Sequence, residues 1–94
     1  MRRAARTDAT QASIIEALKR AGVSVEVIGK PVDLLICCRG ETALMECKTP
    51  ASEGGRDRLT KEQVDFIARW PGTVHVVRSP EEAVRVAVGE RAMA

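Results

Sequence analysis

The chain is short of most residues that announce a functional class. Its 94 residues include one tryptophan, one phenylalanine and no tyrosine, so a core has to come from Val, Leu, Ile and Ala. A single histidine and three cysteines without a C-x-x-C spacing argue against a zinc framework. Cys37 and Cys38 are neighbours in an apolar run and point to opposite faces of a strand, so they do not readily bond to each other. An odd, reduced set of this kind fits the cytosol. No run approaches the roughly 20 apolar residues that cross a bilayer. The arginine-rich start is not followed by the apolar stretch of a signal peptide. There is no internal repeat and no low-complexity segment. The net charge of +2 is mildly basic, which permits a nucleic-acid partner without demanding one. The length fits one domain.

What is present is charge where it is expensive. Ala43-Leu44-Met45-Glu46-Cys47-Lys48 reads as a buried strand carrying two charges. It follows a second apolar run, Val32 to Cys38, with Asp33 near its start. Burying an unpaired ion costs several kcal/mol. A small domain has a net stability of about 5–15 kcal/mol and does not carry three such groups idly. Glu46 and Lys48 share one face of the strand, while Met45 and Cys47 take the other. Arg39-Gly40 reads as a two-residue hairpin turn. Such a turn pairs Cys38 with Glu41 and, counting back, sets Asp33 directly opposite Glu46. Opposed residues have Cβ atoms about 4.5–5.5 Å apart. Two carboxylates at that distance repel, unless a divalent ion such as Mg²⁺ or Mn²⁺ turns repulsion into ligation by hard oxygens. The alternative is a plain salt bridge from Lys48 to Glu46 or Asp33.

The remaining pattern predicts an α/β domain. Residues 1–7 form a basic arm with Arg2, Arg3 and Arg6, and residues 8–94 form the single domain. A helix from about Asp8 carries Ile14, Ile15 and Leu18 and ends at Gly22. Val23 to Ile28 alternates as a strand with one wetter face. The hairpin is apolar on both sides, which implies helices on both faces of the sheet. Thr49 to Thr60 is a glycine-rich loop, and Arg56, Arg58 and Lys61 around it are candidate phosphate contacts, as is the arm. Thr60 and Gln63 have capping-box spacing at the start of a helix that Pro71-Gly72 stops. A strand follows over 73–77, then a helix opened by Ser79-Pro80-Glu81-Glu82. His75, mid-strand among valines, reads as a packed or edge residue rather than a general base. Phe66 and Trp70 could stack a base, but their helical spacing suits core or a dimer contact.

Pro31-Val32-Asp33 followed by Glu46-Cys47-Lys48 resembles the PD-(D/E)XK motif of restriction-endonuclease-like nucleases, and the order α-β-β-β-α-β-α resembles that fold. Leu59-Thr60-Lys61-Glu62-Gln63 is similar to the glutamine-bearing helix of one branch, the virus-type replication-repair nuclease (VRR-NUC) domain in its stand-alone phage and bacterial form. The resemblance runs from about Thr7 to Val86. It implies metal ligation by Asp33, Glu46 and the backbone carbonyl of Cys47. Lys48 would position or activate the attacking water, and Gln63 would hold Lys48 or the scissile phosphate; its alternative is an ordinary cap. Where related junction resolvases have a metal-shell glutamate, this chain has Gln11, which puts a second ion in doubt; Glu16 points elsewhere.

The resemblance thus implies a metal-dependent, structure-selective DNA endonuclease using Mg²⁺ or Mn²⁺ in a bacterial or phage-infected cytoplasm. It implies a homodimer like the Holliday-junction resolvases, acting on branched, four-way DNA in repair or recombination. The alternative is a catalytically silent DNA-binding or accessory module of the same fold; the intact Asp33, Glu46 and Lys48 argue against it, and Gln11 is its only support.

Overall fold

The computed structural model describes residues 9–50 and 58–89. Arg2, Arg3, Arg6 and Arg56 lie outside the described residues, as does most of the glycine-rich loop. The order is α1 (Ala9–Arg20), β1 (Ser24–Val27), β2 (Leu34–Cys38), β3 (Glu41–Cys47), α2 (Lys61–Arg69), β4 (Val74–Val77) and α3 (Pro80–Val88).

In α1, Gln11, Ile14 and Leu18 recur at helical spacing and form its buried stripe. Lys19 and Arg20 in its last turn complement the negative end of the helix dipole. The helix closes in a Schellman arrangement: the Val23 N–H donates to the Leu18 carbonyl and the Gly22 N–H to the Lys19 carbonyl. Gly22 sits at φ 87°, a conformation only glycine adopts freely. That turn delivers Val23 into the core beside Leu18.

The sheet order is β1-β2-β3-β4. The first three strands form an antiparallel meander, and β4 joins β3 in parallel after the α2 crossover. Arg39 and Gly40, at φ 54° and 81°, supply the two positive φ values that a type I′ hairpin turn requires. The register is the expected one: Cys38 pairs with Glu41, and Leu34 with Met45. Asp33 and Glu46 are the next pair along.

Both faces of the sheet are covered. On one, α1 and α3 pack together over Leu34, Ile36, Met45, Cys47 and Val77. On the other, Phe66 of α2 lies over Val32 and Leu44, with Leu35, Ile67 and Val74 around it. Thr60 opens α2 as its cap, and Ser79 opens α3 by accepting from the Glu82 N–H at 3.1 Å. Among the described residues, no helix is long and apolar enough to cross a membrane.

Candidate functional site

Strand alternation puts Glu46 on the α2 face of β3, with Leu44 before it and Lys48 after it. Glu46 is 4 % exposed. Asp33 stands at the head of β2, on the same face and opposite Glu46. Each acid is gripped by the backbone that carries the other. The Cys47 N–H donates to Asp33 Oδ2 at 2.8 Å, and the Asp33 N–H donates to Glu46 Oε1 at 3.2 Å. These reciprocal bonds hold both carboxyl groups in one place, because neither amide can move without its strand.

Lys48 completes the cluster. Its backbone N–H is anchored on the Val77 carbonyl of β4 at 2.9 Å. Its Nζ lies 3.3 Å from Glu46 Oε2, with side chains 11 % and 5 % exposed. The salt bridge weighed from the sequence is therefore present, together with the opposed acids. One ammonium faces two carboxyl groups, and the balance shows in Asp33. Burial pushes its carboxyl up from 3.8 to about 6, with the Glu46 carboxylate acting in the same direction. The Cys47 N–H and the Lys48 ammonium pull it only part of the way back.

The donor set suits a hard divalent cation. It offers two carboxylates, one of them almost fully buried, and their mutual repulsion is what a dication would relieve. Asp33 Oδ1 is not used by the amide bond that holds Oδ2. Cys47 turns its thiol into the α1/α3 side of the core. Its N–H points toward Asp33, and an extended residue directs its own carbonyl to the same side of the strand. Among the described residues, no group of three or more His, Cys, Asp or Glu side chains gathers as a metal cluster, so the fit rests on two carboxylates and a main-chain oxygen.

Other expected residues are placed differently. Gln63 does not extend over the acids. Its Oε1 accepts from the Thr60 N–H at 3.0 Å, while Thr60 Oγ1 accepts from the Gln63 N–H at 3.1 Å. This reciprocal pair is a capping box, and it satisfies two N–H groups that the first helical turn leaves unbonded. Gln11 is buried in the α1 stripe, which covers the sheet face opposite the acids. Glu16 is exposed and paired with Arg20 at 2.8 Å. Lys61 is exposed but paired with Asp65 at 3.2 Å, and Arg58 is exposed. His75 pairs with Met45, and it lines a cavity of about 500 Å³ with Cys38, Thr42 and the end of α3, on the face away from Glu46. Burial pushes its imidazole below the usual 6.5.

Sequence reasoning missed the two amide bonds and the Val77 carbonyl. The amides had a signal: with Asp33 opposite Glu46, the odd-numbered amides of β3 face β2, and Cys47 is the next of them. Val77 had none, because its strand pairs with β3 only after the α2 crossover. No protein-family model, curated protein or solved structure matches the chain.

Proposed function

We propose that this protein is a metal-dependent endodeoxyribonuclease of the restriction-endonuclease-like fold, with Asp33, Glu46 and Lys48 as its PD-(D/E)XK site. The observation that carries the reading is the forced meeting of two carboxyl groups and one ammonium on a single sheet face. Such an arrangement costs stability unless something binds there. A mixed sheet between helices, in the order α-β-β-β-α-β-α, supports the same reading.

Asp33, Glu46 and the carbonyl of Cys47 would hold Mg²⁺ or Mn²⁺. When bound, such an ion supplies Lewis-acid polarisation of the phosphate and a more acidic water. Asp33 and Glu46 would bind the ion as carboxylates, and the raised Asp33 pKa makes such binding weaken as the pH falls toward about 6. The Lys48 ammonium lies beside Glu46. There it orients the attacking water and offsets the negative charge that grows on the phosphoryl oxygens. Its burial strengthens that interaction, because little water screens it. We leave Gln11, buried in the α1 stripe, out of this ligand set, and Gln63 would hold Lys48 or the scissile phosphate only by leaving its cap.

As substrate we propose branched DNA, with four-way junctions first, cut by a homodimer. Paired symmetric nicks need two sites related by a two-fold axis. Arg58, Lys61 and the arginines of the N-terminal arm are the proposed phosphate contacts.

The test is cleavage of a labelled four-way junction, a plain duplex and a splayed arm in Mg²⁺, Mn²⁺ and EDTA. Lys48→Ala should slow cutting by about 10²–10³-fold, the scale for loss of one group that stabilises developing charge. Equal cutting of all three DNAs removes the junction preference and leaves the chemistry. No cutting with either metal, alongside retained DNA binding, replaces the enzyme with a silent binding or accessory module.

A further inference from the structure

The two aromatic residues of this chain are spent in one place. Phe66 is 6 % exposed and seated on Val32 and Leu44. Val32 directly precedes Asp33. Leu44 precedes Glu46 by two residues on the same face, a step of about 6.6–6.8 Å. Phe66 therefore stands in the row of side chains that ends in the acids. Trp70 stacks on it, with ring centroids 5.2 Å apart and planes inclined at 29°. The Arg69 guanidinium lies 5.3 Å from the Phe66 centroid.

Trp70 itself is 43 % exposed, an uncommon place for a large apolar ring in a chain with so few. It is also held. A Cβ on Gly72 would stand 2.9 Å from the indole Nε1, so the ring lies flush against bare backbone. Gly72 is not at positive φ, so its own conformation does not call for glycine there. Phe66 supports the indole from one side and Gly72 from another, while much of the ring faces water. A flat surface fixed in advance needs no ordering when a partner arrives.

We infer that Trp70 is a stacking platform for an unpaired nucleobase of the bound DNA. This rests on the nuclease reading above. A nucleobase has the flat apolar face that matches an exposed indole, and stacking on aromatic rings is how unpaired bases are commonly held. Bases inside a continuous duplex are already stacked on their neighbours. The platform therefore selects DNA in which a base is splayed out, as at a junction, flap or gap. Arg69, next in the chain, is the cation placed to meet the phosphate of that nucleotide.

Trp70 is the only tryptophan, so intrinsic fluorescence reports on it alone. The full chain is titrated in EDTA, to separate binding from cutting, with three DNAs. These are a splayed arm with unpaired thymines, the same arm abasic at those positions, and a blunt duplex. Quenching is expected with the first and not with the other two. Trp70→Ala should weaken splayed-arm binding by about tenfold and leave duplex binding unchanged. Gly72→Ala keeps both rings but displaces the indole, and should weaken splayed-arm binding in the same sense; melting by circular dichroism checks that both variants fold. The inference is overturned if splayed DNA binds with the indole emission unmoved, or if Trp70→Ala weakens duplex and splayed DNA equally. It is also overturned if Trp70→Ala separates a dimer while DNA affinity stays intact, which makes Trp70 a contact between copies. If no DNA of any form binds, the nucleic-acid reading falls and this inference with it.

Discussion

On one face of the sheet, α1 and α3 enclose Ile14, Leu18, Leu34, Met45 and Val77 completely. On the other, α2 seats Phe66 on Val32 and Leu44 and leaves Val64 and Trp70 in solvent. The first face buries apolar side chains and the neutral Gln11; the second also carries Asp33, Glu46 and Lys48. The difference shows how a 94-residue chain holds a costly site. Burial on the α1/α3 face supplies the favourable free energy. That surplus tolerates two carboxyl groups forced together on the α2 face. A site spread over both faces would have put its charges between two helix layers, where desolvation is greatest.

The largest effect should come from breaking the α1/α3 face. Leu18→Ala removes a fully buried side chain and should cost about 2–5 kcal/mol in urea unfolding, against about 5–15 kcal/mol in total. Cleavage per folded molecule should not change. A cost no greater than that of Val64→Ala, which is half exposed on α2, would erase the contrast between the faces.

Next comes the effect of metal on the α2 face. At about 100 times its dissociation constant, Mg²⁺ or Mn²⁺ should stabilise the protein by about 2.7 kcal/mol, read as a rise in melting temperature. Asp33→Asn should lose most of that rise. Equal stabilisation of both proteins would place the ion somewhere other than between Asp33 and Glu46.

A smaller effect is expected from pH without metal. Asp33 titrates near 6 folded and at its ordinary 3.8 unfolded, so the native state holds its proton more tightly. Its contribution to stability is complete below about 3.8 and is lost as pH rises through about 6. Relative to Asp33→Asn, the wild type should therefore lose stability between pH 4 and 7. Solvent access to Asp33 keeps the change modest. A difference that grows more favourable with rising pH would mean that Lys48 outweighs burial and Glu46.

The smallest effect concerns the edge of the α2 face. Thr60→Ala should cost about 1 kcal/mol through loss of the cap. Gln63→Ala should act mainly on stability, since its side chain is bonded back to Thr60. If Gln63→Ala instead leaves stability alone and slows cleavage as Lys48→Ala does, Gln63 exchanges the cap for the site when DNA binds.

Much of the site could be read in advance because the decisive contact is local. Only the Arg39-Gly40 turn separates the two strands, so counting from it fixes Asp33 opposite Glu46. Alternation then puts Lys48 on the same face. The caps at Thr60 and Ser79 were legible for the same reason, each being set within four residues. Gln63 was ambiguous because one side chain fits both a cap and a phosphate contact. Gln11 was considered by analogy with a catalytic glutamate, and its position in a helical stripe does not by itself say which face of the sheet that stripe covers.

The sequence by itself determined the order of elements, the hairpin register and the pairing of the two acids, because these depend on turn chemistry and on the two-residue period of a strand. Only the tertiary structure decided that β4 lies parallel to β3 and anchors Lys48, that α1 and α3 share one face, and that α2 presents Trp70 on the other. Those choices join residues far apart in the chain. They are settled by which apolar surfaces cover each other most completely, a property of the whole fold that no short stretch of sequence contains.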